Sequence, residues 1–194
     1  MGMVGRFAVP LTRLHHLVIG AVIAIVVAVP LGVFAFVESG FYNVGASSPH
    51  TKFTEWLTHE TMIHSVRRRS AALAATAGFS PAEVDAGFCA YDVHCVACHG
   101  ASAVPRAQWA AGIEPAPPYL LDESRRFTPR QLFWIVKNGI KMTGMPAWRG
   151  EMSDEEISSV VAWLEVGPKL PPQTYVQWRE SGRCGLAKPS PFPG

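Results

Sequence analysis

The feature that most constrains this chain is HCVACHG, residues 94–100, in which two cysteines stand three apart and a histidine follows directly. A structural zinc site needs four ligands, and the other two cysteines, Cys89 and Cys184, are not in paired spacing. A redox dithiol of the thioredoxin type needs a βαβ pattern around it, which the sequence lacks. Neither a zinc site nor a redox dithiol therefore explains the motif.

The same spacing suits covalent attachment of haem c. In CxxCH the two thiols add to vinyl groups of the porphyrin, and the histidine ligates the iron. On a helix, Cys95 and Cys98 lie on one face, and His99 follows four residues after Cys95. The motif occurs once. We therefore expect one covalent haem c, held by Cys95, Cys98 and His99.

The second axial ligand is expected in KMTGMPAW, residues 141–148. Met145 stands between Gly144 and Pro146, a pair that favours a tight and rigid loop. A thioether is a soft ligand, and ligation by Met and His raises the potential of a haem. Met142 is the alternative but lacks the flanking glycine and proline, so the expected iron ligands are His99 and Met145. Four further histidines could in principle replace Met145, but their sequence surroundings do not favour it: His50, His59, His64 and His94.

Three segments carry the signal of a helix start. Ser80, Thr128 and Ser153 are each followed three residues later by Glu or Gln, the pattern of a capping box. We expect helices at about 81–98, 129–138 and 154–166, the last two stopped by glycine. No alternating strand pattern appears. The sequence predicts an all-α domain with three main helices around one haem and a long loop at 100–127.

These residues resemble the class I cytochromes c over residues 80–172. Gly87, Tyr91 and CVACHG resemble the first helix of that family, TGMPAW resembles its methionine loop, and SDEEISSVVAWLEVGPKLP its last helix. The resemblance implies an all-α fold and one-electron transfer. It also implies a proline whose carbonyl orients the ligand histidine, and Pro117 in EPAPPYL is the expected residue.

A run of 21 uncharged residues, LVIGAVIAIVVAVPLGVFAFV at 17–37, predicts a transmembrane helix. At 1.5 Å per residue it spans about 32 Å, close to the roughly 30 Å of a bilayer core. A cleaved signal peptide is the alternative, but it usually has a shorter apolar run and a small-x-small site. Arg6 and Arg13 precede the run and Glu38 follows it. We expect a single-pass anchor in the inner (cytoplasmic) membrane, with a cytoplasmic N-terminus and a periplasmic haem domain.

The remaining segments are assigned by composition. An amphipathic juxtamembrane helix is expected because Phe53, Trp56 and Leu57 begin a pattern of helical period, which Gly78 ends. The Pro-rich tail is expected to be extended. The sequence leaves open whether Cys89 and Cys184 form a disulfide, and what Arg67–Arg69 and the tail do. The expected divisions are the N-terminus and anchor at 1–40, the linker and amphipathic helix at 41–79, the haem domain at 80–170 and the tail at 171–194.

Composition and motifs together favour an electron carrier. The net charge of +2 gives no sign of nucleic-acid binding. No catalytic acid–base pair, nucleophile or phosphate loop is visible, so we expect no enzyme activity and no small-molecule substrate. The chain resembles membrane-anchored cytochrome subunits, which implies redox protein partners within a respiratory or dehydrogenase complex. A haem enzyme or gas sensor with a labile sixth ligand is the alternative. The sequence does not identify the electron donor, the acceptor or the redox potential.

Overall fold

The structure is a computed structural model that describes residues 11–74 and 78–185. Within those ranges it contains helices and no strand, apart from an isolated bridge between Ala101 and Val104. The all-α fold class is therefore confirmed. The chain divides into two compact units, with the boundary after Gly45.

Eight α-helices occur in the described residues: α1 Leu11–Glu38, α2 Lys52–Ser70, α3 Pro81–His94, α4 Val96–His99, α5 Leu120–Glu123, α6 Pro129–Asn138, α7 Asp154–Val166 and α8 Thr174–Glu180. Short 3-10 helices lie at Gln108–Gly112, Ser124–Arg126, Trp148–Gly150 and Gly167–Lys169.

The first unit contains α1, a single helix that runs through Pro30. Within its segment Thr12–Glu38 the most apolar stretch of 18 residues has a mean hydropathy of 2.9, and no part of that stretch is buried by protein. By length and composition this helix is able to cross a membrane, although a signal sequence near an N-terminus has the same properties. Arg6, which contributed to the expected orientation, lies outside the described residues.

The helix starts expected from the sequence are confirmed. Ser80, Thr128 and Ser153 each form a capping box with the Glu or Gln three residues on. Helices α6 and α7 have the expected bounds. The first expected helix is instead divided into α3 and α4, because Cys95 has a φ of −117°, away from helical values.

Helices α3 and α7 cross at close range around Gly87. A Cβ atom at Gly87 would lie 1.7 Å from the carbonyl oxygen of Ser159 and 3.1 Å from the Cβ of Trp163. Only a residue without a side chain permits this approach. Phe88 and Ile157 next to the crossing are completely buried. Gly87 therefore sets the closest approach of α3 to α7.

The C-terminal segment is a helix where an extended tail was expected. The side chain of Tyr175 in α8 is 2% exposed, and its hydroxyl donates to Asp92 Oδ1 at 2.7 Å. The rings of Tyr175 and Trp178 lie 5.1 and 5.3 Å from that of Phe88. Burial of these rings against α3 outweighs the extended tendency of the neighbouring prolines. The expectation was wrong for residues 174–180, while 186–194 lie outside the described residues.

The disulfide that the sequence left open is formed. Cys89 in α3 is bonded to Cys184, and their Cα atoms are 5.3 Å apart. Arg183 also pairs with Asp85 of α3 at 3.0 Å. Arg179 Nε lies 3.1 Å from Asp92 Oδ1 as an ion pair without a directed hydrogen bond. The segment after α7 is thus fastened to α3 by covalent, ionic and aromatic contacts.

Helix α2 differs from the expectation in its end and in its buried face. It ends at Ser70 rather than near Gly78, although Ala71 and Ala72 favour helix by propensity. Residues 75–77 lie outside the described residues. Phe53, Trp56 and Leu57, expected on the apolar face, are exposed. Val66 and Ser70 are the buried residues of α2, and the helix packs against α6, so tertiary packing and not local apolar period alone decides which face is covered.

Substitution Gly87→Ala tests the crossing of α3 and α7. The added methyl group overlaps backbone atoms of Ser159, so the helices must separate, and we expect a loss of about 3 kcal/mol in the free energy of unfolding. Gly112→Ala is the matched control, since a Cβ there meets no atom within 4 Å. Chemical denaturation measures both variants, and equal stability of the two would contradict the crossing.

The double substitution Cys89→Ser with Cys184→Ser tests the covalent attachment of the C-terminal segment. Loss of a bond that spans 95 residues is expected to cost about 2–4 kcal/mol. The wild type under oxidising conditions should unfold at higher denaturant concentration than the variant, and reductant should abolish the difference. An identical unfolding midpoint under oxidising conditions would argue against the bond.

Candidate functional site

A cavity of about 340 Å³ lies among the helices of the second unit, and we call it the central cavity. Its size falls within the range of about 300–1,000 Å³ typical of ligand sites. All five residues expected at the site line it: Cys95, Cys98, His99, Met145 and Pro117. Much of the rest of the wall is apolar, and Leu120, Phe127, Leu132, Ile135, Val136, Ile140, Val160 and Leu164 belong to it.

The two cysteines enter the cavity from the turn that joins α3 to α4. The amide of His99 donates to the carbonyl of Cys95 at 2.9 Å, so helical bonding continues past the irregular residue. The amide of Ala107 bonds to the carbonyl of Ala97 at 2.8 Å and fastens the following loop. Cys95 and Cys98 are free thiols, unlike the paired Cys89 and Cys184. Burial, with a smaller effect of Cys98, raises the pKa of Cys95 to about 12, so Cys95 is a neutral thiol.

His99 is oriented by the carbonyl of Pro118. Its Nδ1 lies 2.8 Å from that oxygen, and because a carbonyl only accepts, Nδ1 carries the proton and Nε2 the free lone pair. Burial lowers the pKa of His99, which favours the neutral ring. The choice of Pro117 was therefore wrong. Three prolines within four residues look alike in the sequence, and only the path of the loop decides which carbonyl faces the histidine.

Arg106 holds the same loop and was not identified from the sequence. Its guanidinium donates to the carbonyl of Pro117 at 2.6 Å and lies 4.2 Å from the centre of the Tyr119 ring. The carbonyls of Pro117 and Pro118 thus bind different partners, and the arginine fixes the loop on both sides of the acceptor for His99. A single arginine in a loop gives no sequence signal of this role.

Met145 is held by a closed loop after α6. Thr143 Oγ1 donates to the carbonyl of Ile140 at 2.7 Å and accepts from the amide of Met145 at 3.1 Å. Gly139 has a φ of 64° and lies directly against Pro146. A Cβ atom at residue 139 would be 2.5 Å from the carbonyl of Pro146. Met145 is half-buried and lines the cavity, whereas Met142 is 77% exposed and does not.

Several further residues contact the site without having been assigned to it. The ring of His94 lies 5.0 Å from that of Trp148, and both residues line the central cavity. The hydroxyl of Tyr91 donates to the carbonyl of Gly100 at 2.6 Å, directly after the CVACH segment. His59 and Met62 of α2 also line the cavity, although α2 precedes the predicted haem domain.

The donor set fits a haem. One mainly apolar cavity brings together two unpaired thiols, an imidazole with a free Nε2 and a thioether, which are the groups that c-type attachment and axial ligation require. The described residues contain no group of three His, Cys, Asp or Glu side chains able to hold a metal ion. The individual roles of Cys95, Cys98, His99 and Met145 stay predictions.

Comparison with protein families agrees with this geometry. Residues 82–164, fewer than half of the chain, match the model of the family described as cytochrome C oxidase, cbb3-type, subunit III. The matched range starts in α3 and ends in α7, and it includes the CVACH segment and the methionine loop. No curated protein matches the chain. The match supports a c-type cytochrome domain at residues 82–164, and domains of that kind bind haem and transfer electrons.

Proposed function

We propose that this protein is a membrane-anchored monohaem cytochrome c that carries single electrons between redox proteins on the periplasmic face. The observation that carries the proposal is the convergence of Cys95, Cys98, His99 and Met145 on one cavity. The haem, when bound, supplies the one-electron chemistry. The protein supplies two thioether links, two axial ligands and an apolar wall.

Covalent attachment is supported by the different states of the four cysteines. Cys89 and Cys184 are bonded to each other, which leaves Cys95 and Cys98 available. A thiol adds across a vinyl group by forming one C–S and one C–H bond, so each cysteine supplies both the sulfur and a hydrogen. A redox dithiol would instead need a low thiol pKa, whereas burial raises that of Cys95. The single CxxCH motif limits the expected stoichiometry to one haem.

Stable ligation by two side chains favours a carrier over an enzyme. Met145 is fixed by the hydrogen bonds of Thr143 and by the contact of Pro146 with Gly139, so its thioether has little freedom to leave. With His99 on the other side, both axial positions would be filled and no open position would be left for a substrate. We therefore propose that the chain transfers electrons and does not catalyse a reaction alone.

The proposed location is supported by α1 and by the disulfide. A helix whose most apolar 18 residues have a mean hydropathy of 2.9 is suited to anchoring, and the arginines before it favour a cytoplasmic N-terminus. Disulfides persist in oxidising compartments, so the Cys89–Cys184 bond favours the periplasm for the second unit. The matched family is named after an oxidase subunit, which supports membership of a membrane-bound respiratory or dehydrogenase complex.

Carbon monoxide binding to the reduced protein tests the carrier against the alternative of a labile sixth ligand. We expect the wild type to show a low-spin spectrum that carbon monoxide does not change. Met145→Ala should bind carbon monoxide rapidly and have a lower midpoint potential, because the thioether that favours the reduced form is gone. The measurements are an absorption spectrum and a redox titration.

Met142→Ala is the matched control, since Met142 is exposed and lies outside the cavity wall. It should keep the spectrum and potential of the wild type. Rapid binding of carbon monoxide by the wild type would contradict the carrier and favour a gas sensor or haem enzyme. A response of Met142→Ala in place of Met145→Ala would instead assign the ligand to Met142.

A further inference from the structure

One part of the central cavity is formed by a helix outside the cytochrome domain. His59 and Met62 of α2 line the cavity together with His99 and Met145. The family match begins only at residue 82, after α2 has ended at Ser70. The wall of the site is therefore not complete without a segment that the matched domain does not include.

The position of α2 is fixed by its own packing. His59, Met62, Val66 and Ser70 follow one another at steps of three, four and four residues, so they lie on one face of the helix. Val66 and Ser70 are each only 1% exposed. Helix α2 packs against α6, the helix that contributes Leu132, Ile135 and Val136 to the cavity.

The two ends of this face differ in their surroundings. Towards the C-terminal end, Val66 and Ser70 are enclosed by protein, while Met62 is half-buried and His59 is exposed. The cavity thus contacts α2 at Met62 and His59, where this face of the helix changes from buried to solvent-exposed. Met62 is apolar and long, which suits a residue that contacts a ligand inside, and His59 lies at the outer rim.

We propose that α2 completes the haem-binding wall, with Met62 contacting the haem edge and His59 covering the rim beside it. This inference rests on the proposed function, since it requires haem in the central cavity. The wall excludes water and small solutes from that edge. Because the oxidised haem carries one more positive charge, exclusion of water disfavours it and raises the midpoint potential.

Substitution Met62→Ala in the detergent-solubilised full-length holoprotein tests the inference. It opens the wall without removing any of the proposed ligands, so we expect a lower midpoint potential and a several-fold faster oxidation by small reagents. Ferricyanide and a cationic cobalt(III) complex should both react faster, because a change in access does not depend on the charge of the reagent. Met62→Leu, which keeps the apolar volume, should behave like the wild type.

Ile63→Ala is the matched control for a merely structural effect. Ile63 is the half-buried neighbour of Met62 in α2 but does not line the cavity, so its loss should leave potential and oxidation rates unchanged. His59→Ala affects an exposed side chain and does not endanger folding. It should produce the effects of Met62→Ala in the same direction and to a smaller extent.

The outcomes separate the inference from the proposed function. A haem spectrum in every variant, with unchanged potentials and rates in Met62→Ala and His59→Ala, would overturn the role of α2 while leaving the cytochrome intact. Equal changes in Ile63→Ala and Met62→Ala would also overturn it, because they would indicate a general loosening of α2. A wild type without haem absorption would overturn the proposed function itself.

Discussion

The contact between the backbones of α3 and α7 at Gly87 is the constraint on which the site depends. Helix α3 leads directly into Cys95, and α7 supplies Val160 and Leu164 to the lining of the central cavity. The position of α3 relative to α7 is set where Gly87 meets Ser159, eight residues before Cys95. Any larger side chain at residue 87 would move Cys95 and Cys98 relative to the residues of α7 that line the cavity.

The two expected axial ligands are positioned by hydrogen bonds from loops rather than by the helices alone. His99 depends on the carbonyl of Pro118, and the loop that carries this carbonyl depends on Arg106. Met145 depends in the same way on Thr143. Each expected axial ligand thus has a second residue that restricts its movement, which suits a carrier whose iron must change charge with little rearrangement.

Two segments beyond the matched domain stabilise its outer helices. Helix α8 is attached to α3 by the Cys89–Cys184 bond and by Tyr175, whose hydroxyl binds Asp92. Helix α2 packs against α6, and Val66 and Ser70 are its buried residues. Both additions contact helices that border the central cavity, so the parts of the chain that a family comparison leaves out still affect the properties of the site.

Those parts of the fold that depend on residues close together in the sequence were predictable. Capping boxes placed α6 and α7 correctly because the Ser or Thr cap and its partner are three residues apart in the sequence. The choice between Pro117 and Pro118, the end of α2 and the helical form of residues 174–180 depended on contacts between distant residues. The pairing of Tyr175 with Asp92, like that of Cys89 with Cys184, cannot be predicted from the residues that neighbour either partner in the sequence.

The mass of the intact, denatured full-length chain tests the central claim most directly, because denaturation releases any haem that is not bonded to the protein. We expect the mass of the polypeptide plus one haem in the wild type, and no added haem when Cys95 and Cys98 are both replaced by alanine. A wild-type chain that carries only its amino-acid mass would contradict covalent attachment at these two residues.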